Sequence, residues 1–120
     1  MKKFDELTMK NELTEWLVRR QELGGLNGRP HKDQDTCYSF WVGATLKSLD
    51  ALDFISNEKS IDFTLRCQHD KMGGICKHGG TYPDPLHSFM SISGLSLMKY
   101  EGLNEIYAPL GLTKRCLEMK

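Results

Sequence analysis

Apolar residues recur at offsets of three and four through the first part of the chain, at Phe4, Leu7, Leu13, Trp16 and Leu17, with charged side chains between them. That spacing is the stripe of an amphipathic helix, predicted to end near Gly24-Gly25. The run from Asp35 to Leu52 reads as helix again, with Cys37, Phe40, Trp41, Ala44 and Leu49 on one broad inner face. Its polar side is thin, so much of it is expected to be buried. A third helix is predicted to start at Asn57, whose side chain suits an N-cap, and to carry Ile61 and Leu65 before stopping near Gly73-Gly74. The fourth opens at Asp84-Pro85, because Asp caps well and Pro tolerates the first helical position, and runs through Leu86, Met90 and Leu97. From Glu101 to Lys120, Gly102, Pro109 and Gly111 interrupt any period, which predicts a loop with a short terminal helix.

The same order of signals appears twice. Gly24-Gly25-Leu26 lies on Gly73-Gly74-Ile75 at an offset of 49, which also lays Asp35 on Asp84, Cys37 on Leu86, Tyr38 on His87, Phe40 on Phe89 and Leu46 on Leu95. With a two-residue adjustment before the glycines, Gln21 meets Gln68 and Trp16 meets Phe63. The expected units run approximately over 4–52 and 53–100, with a tail over 101–120. A pair of helices cannot cover its own apolar faces and needs neighbours on both sides. About two and a half units are visible and neither end carries a polar cap. The fold class expected is all-α, an α/α toroid of helical hairpins, present as part of a larger ring or as a truncated form that depends on a partner.

Sixteen basic and sixteen acidic residues in 120 leave no net charge, which removes the footprint of a general nucleic-acid binder and makes any anion site local. The apolar runs are short and interrupted by charge, so neither a signal peptide nor a membrane span is predicted. Cys37, Cys67, Cys76 and Cys116 lie far apart and form no C-x-x-C pair. Reduced thiols in the cytoplasm are the expectation.

Equivalent positions of adjacent hairpins lie side by side, which sets the Asp35-Thr36-Cys37-Tyr38 helix start beside Pro85-Leu86-His87. A carboxylate, a thiol and an imidazole suit zinc, and three protein ligands leave a fourth position open, as catalytic zinc sites do. Taken singly, Asp35 reads as an N-cap, Cys37 as a small buried hydrophobe and His87 as a hydrogen-bonded core histidine; the D-x-C spacing alone does not separate these readings. Arg29, His31 and Lys32 precede a helix N-terminus whose free amides favour anions, so a phosphate-bearing ligand is one reading and a solvated basic turn, offset by Asp33 and Asp35, the other. Lys77 occupies the equivalent loop of the next unit, turned to the same pocket or to solvent. Trp41, Phe40, Phe89 and Met90 line a lipid cavity if the toroid is hollow and are ordinary core otherwise.

Read together, Gly24-Gly25-Leu26-Asn27-Gly28-Arg29-Pro30-His31-Lys32, Asp35-Thr36-Cys37-Tyr38-Ser39-Phe40-Trp41, Gly73-Gly74-Ile75, Pro83-Asp84-Pro85-Leu86-His87 and Gly94-Leu95-Ser96-Leu97 resemble protein prenyltransferase β-subunits, in order and in spacing. The resemblance covers nearly the whole chain and only the C-terminal part of that catalytic subunit. It implies that Asp35, Cys37 and His87 match three zinc ligands, that Arg29, Lys32, Tyr38 and Lys77 match residues facing the diphosphate of the isoprenoid donor, Tyr38 and Lys77 among them with a catalytic role, and that Trp41, an aromatic wall, and Leu86 belong to the isoprenoid and peptide pocket. It further implies an α-subunit partner in a heterodimer, a prenyl diphosphate substrate and a CaaX-type protein or peptide acceptor.

The finer likeness is to the type I geranylgeranyl enzymes. Lys77 stands ten residues before His87, where those enzymes have lysine and the farnesyl and Rab enzymes have a magnesium-linked aspartate, so a zinc enzyme without a magnesium requirement is implied. Leu86 stands where farnesyltransferases carry a tyrosine. The Gly25–Pro30 and Asp84–His87 stretches also resemble the Rab geranylgeranyltransferase β-subunit, which is the second reading. Asp33 departs from the pattern by adding a carboxylate to the cationic loop. A truncated, non-catalytic helical-repeat module is the reading from a different class. A terpenoid cyclase shares the helical toroid but requires acidic clusters not found in this sequence.

Overall fold

The computed structural model describes residues 8–119, so Phe4, Leu7 and the start of the first expected unit lie outside the described residues. Four longer helices carry the architecture: α1 (Lys10–Val18), α2 (Tyr38–Ser48), α3 (Asn57–Arg66) and α4 (Pro85–Leu97), with a short α5 (Lys114–Glu118) near the end. Two two-residue hairpins punctuate them, β1 (Gln21–Glu22) with β2 (Gly25–Leu26) and β3 (Ile106–Tyr107) with β4 (Leu112–Thr113), both antiparallel. A 3-10 turn at Leu52–Phe54 links α2 to α3.

Each boundary has a local cause. The first helix ends at Val18, short of Gly24, because the chain turns back into a hairpin in which Gln21 pairs with Leu26. Gln21 fixes this turn to the next hairpin: its amide accepts from Ser56 N at 2.8 Å and donates to Ser56 O and Gly24 O. The second helix begins at Tyr38 rather than Asp35, since residues 35–37 form a tight entry turn in which the Asp35 carboxylate accepts from Cys37 N. It ends at Ser48, and Asp50 then turns the chain with φ +55°. Ser56, not Asn57, caps α3, accepting from Lys59 N at 3.3 Å, while Asn57 Oδ1 is buried with no hydrogen-bond partner among the described residues. That helix stops at Arg66, and Gln68 then pairs with Ile75 across a turn through two left-handed glycines, Gly73 and Gly74. The pairing of Gln68 with Ile75 thus repeats that of Gln21 with Leu26. Asp84 caps α4 as expected, with Pro85 behind it.

The core lies between α2 and α4, which pack along each other over most of their length. Small residues allow the approach: a Cβ on Gly94 would collide with Ser39, and the Gly43 position faces Met98 and Leu97. Leu46 and Leu26 are almost fully buried beside this seam, with Leu49, Leu52 and Leu97 around them. Trp41, expected on the inner face, is instead 49% exposed, and so are the outward residues of α4, Leu86, Phe89 and Ile92, to a similar degree. Among the described residues, no helix is long and apolar enough to cross a membrane.

Candidate metal centre and cationic cleft

The entry turns of α2 and α4 stand side by side, which brings Asp35, Cys37 and His87 together. One ligand atom from each lies within 4.8 Å of the other two. Asp35 Oδ1 accepts from Cys37 N at 3.0 Å and sits 3.2 Å from His87 Nε2. Behind the ring, Asp84 does two things from one position. Its Oδ1 caps α4 by accepting from His87 N at 2.9 Å, and its Oδ2 holds His87 Nδ1 at 2.6 Å. The backbone N–H of His87, then its ring, holds Asp84 below the usual carboxylate range. Nδ1 is thereby committed to Asp84 and Nε2 is directed at Asp35 and Cys37.

The Cys37 thiol is pushed up to about 12, first by burial and then by the hydrogen bond and charge of Asp35, with Lys77 opposing weakly. A buried carboxylate beside a thiol resists a second negative charge, so this donor set is electrostatically incomplete without a cation. Donors bound at about 2.0–2.3 Å to a tetrahedral ion lie roughly 3.3–3.8 Å apart, so a small closure of the present spacing suffices. A carboxylate on the far nitrogen of a ligating histidine is a recurrent feature of such sites, and Asp84 supplies it here. The residues present therefore fit a metal with three protein ligands and one open position.

Beside this cluster opens a cleft of about 470 Å³ lined by Gly28, Arg29, Lys32, Asp33, Asp35, Tyr38, Lys77 and His78. Arg29, Lys32, Tyr38 and Lys77, four residues from two units of the sequence, thus face one space. Thr36 makes the junction: its N–H donates to Lys77 O at 2.9 Å and its hydroxyl to Cys76 O at 2.8 Å, tying the start of α2 to the loop that carries Lys77. Lys77 Nζ lies 3.8 Å from Asp35 Oδ2. Asp35 is therefore the shared wall, with one oxygen toward the histidine and the other toward the lysine. A Cβ at Gly28 would fall on the Tyr38 hydroxyl, so a larger residue there would have to displace that ring from the cleft wall. Asp33 joins the lining, as its position in the cationic loop implied. His31 turns the loop with φ +62° but does not line the cleft.

Trp41 and Leu86 do not line this cleft; they stand exposed on the first turns of α2 and α4. Two contributors were not legible as site residues. His78 reaches the cleft only because of its neighbour Lys77, and nothing in its spacing marks it. Asp84 read as a cap alone, although its position three residues before His87, one helical turn, is the signal for a carboxylate beneath that ring.

The chain belongs to the prenyltransferase alpha-alpha toroid domain family, which matches residues 1–112. Among its relatives, the geranylgeranyl transferase type-1 subunit beta of Dictyostelium discoideum is 41% identical over 106 residues, covering 88% of this chain and 30% of that protein. The type-2 subunit beta of Saccharomyces cerevisiae is 45% identical over 93 residues, covering 77% of this chain and 29% of that protein. In three dimensions the chain is similar to the protein geranylgeranyltransferase-I of Candida albicans solved in complex with GGPP, with a TM-score of 0.83 and 31% identity over 87% of this chain and 35% of that one. The chain thus spans about 30% of the length of the curated relatives it matches.

Proposed function

We propose that this chain supplies the zinc and diphosphate portion of a protein geranylgeranyltransferase β-subunit, acting in the cytoplasm within an α/β heterodimer that transfers a geranylgeranyl group from its diphosphate to the cysteine of a CaaX-type protein. The observation that carries the reading is the position of Asp35 between a three-ligand metal cluster and a cationic cleft. A sulfur nucleophile and a departing diphosphate need adjacent sites of this kind. Asp35, Cys37 and His87 would hold the zinc. Zinc bound there lowers the pKa of a substrate thiol and keeps the sulfur anionic near neutral pH.

The rest falls to the chain's own residues. Asp84 fixes the tautomer and orientation of His87, leaving Nε2 for the metal. Arg29, Lys32, the Tyr38 hydroxyl and Lys77 receive the negative charge that grows on the diphosphate as its bond to C1 of the isoprenoid breaks, and they do so from fixed positions. The Lys77 ammonium stands in for a divalent cation, which makes magnesium dispensable. Trp41 and Leu86, apolar and exposed on the first turns of α2 and α4, offer wall positions for the isoprenoid or the acceptor peptide.

Elemental analysis of the chain, alone and co-expressed with an α-subunit and the remaining hairpins, tests this reading. One zinc per complex is expected, lost on Cys37→Ala or His87→Ala; a complex that transfers prenyl groups without zinc, or holds none, overturns it. The same complex distinguishes the Rab-type reading, favoured by the 45% identity to the yeast type-2 relative. Activity independent of magnesium, acquiring a magnesium requirement on Lys77→Asp, is expected for type I; an existing requirement transfers the chain to the Rab type.

A further inference from the structure

Two cations of the cleft, Arg29 and Lys32, sit on the loop over residues 27–34, whose base is closed by Asp35 N donating to Leu26 O at 3.0 Å and Gly25 N donating to the Gln34 side chain at 3.2 Å. Closed ends do not fix the middle of such a loop, and His31 holds a left-handed backbone that a non-glycine residue seldom adopts unaided. Inside the loop lies Asn27, with no solvent exposure. Its Nδ2 donates to Lys32 O at 3.1 Å, its backbone N–H donates to Arg20 O at 2.9 Å, and its Oδ1 accepts from Arg20 Nη1 at 3.5 Å. Arg20 is itself buried, anchored by Nε to Trp16 O and stacked over the Trp16 ring at 4.6 Å. A polar side chain wholly removed from water has to have its donor and acceptor met, and here both are met by the two ends of a path from the last turn of α1 to the cationic loop.

We infer that Asn27, backed by Arg20, is a positioning residue that presents Lys32 to the diphosphate. The inference rests on the diphosphate reading of the cleft. It assigns Asn27 no contact with the ligand. Its effect passes through the Lys32 carbonyl, which it holds from within the loop while the Lys32 side chain faces the cleft. Arg20 completes the brace by orienting the amide so that nitrogen, not oxygen, meets that carbonyl.

The test is a double-mutant cycle on the full chain, with inorganic pyrophosphate as the probe and titration calorimetry as the readout. Asn27→Ala is expected to weaken pyrophosphate binding about fivefold, the equivalent of one ordinary hydrogen bond. Lys32→Ala is expected to weaken it further, and the double variant to bind no worse than Lys32→Ala alone, because residues acting through one another do not add. Losses that multiply, or an Asn27→Ala variant that binds like the unaltered chain, overturn the inference. Amide hydrogen exchange over residues 28–34 reads the brace without any ligand: faster exchange in Asn27→Ala, and in Arg20→Met if the first variant does not fold, is expected, and unchanged exchange overturns the brace. Faster exchange with no pyrophosphate binding by the unaltered chain sinks the diphosphate reading instead.

Discussion

Asp84 shows how much chemistry one side chain carries at a helix start. It caps α4 with one oxygen and orients His87 with the other, so the two roles can be separated by a single substitution. Asn at this position still caps a helix well but cannot offer a charged acceptor to the ring. Asp84→Asn is therefore expected to leave the folding midpoint almost unchanged while lowering zinc affinity about 10–100-fold, the usual effect of losing such a support. Competition against a chelator measures it; equal affinity in the two proteins would remove Asp84 from the site. Repeat spacing set Asp35 and Cys37 beside His87 without choosing between metal ligands and ordinary core roles, and only the prenyltransferase resemblance singled the three out; Asp84's second role required knowing that Nδ1, and not Nε2, is the nitrogen turned away from Cys37. His78 carried no signal of its own.

The pairing of α2 with α4 is what brings the two entry turns into register. It depends on Gly94, where an added Cβ would meet the Ser39 hydroxyl, its Cβ and its backbone carbon. Two effects oppose each other in Gly94→Ala. Helix propensity favours alanine by about 1 kcal/mol, whereas forcing a methyl into a packed seam costs typically about 1–3 kcal/mol, and backbone atoms cannot swing aside as a flexible side chain can. Net destabilisation is expected, together with weaker zinc retention because the Asp35 and His87 turns separate. Urea unfolding gives the first quantity and metal analysis the second; a stabilised variant with intact zinc would show that the helices do not need this close approach. The helices themselves were legible from periodicity, as were the Asp84-Pro85 start and the double-glycine turns. Their ends were not: Val18 precedes the glycines by several residues because a hairpin with its own pairing intervenes, and Ser56 displaces Asn57 as cap because its backbone is extended and pinned by Gln21.

Taken as a body, the chain is a slab, 46 × 43 × 20 Å, with a thickness of about two helices. Its accessible surface is 8187 Å², against about 6600 Å² for an ordinary folded monomer of this mass. The excess is partly apolar, since Trp41, Leu86, Phe89 and Ile92 all stand near half exposed. Hydrophobic stabilisation follows the area removed from water, so the isolated chain is expected to bind a hydrophobic dye such as ANS and to show an unfolding free energy at or below about 5 kcal/mol, the bottom of the usual range. Urea unfolding monitored by circular dichroism measures this, with the midpoint rising when further hairpins are supplied. A dye-silent chain of ordinary stability would show that the slab is self-sufficient.

The helical period, the glycine turns, the recurring hairpin pattern and the residue types able to hold a metal can all be read along the chain, because each is set by neighbours within a turn or two. Three-dimensional packing was needed to turn one Asp35 oxygen to His87 and the other to Lys77, to seal Asn27 inside the cationic loop and to leave Trp41 outside the core. Those facts depend on how closely α2 approaches α4 and on which face of each helix is left uncovered, and a contact between residues tens of positions apart has no local energetic signature from which a single sequence could report it.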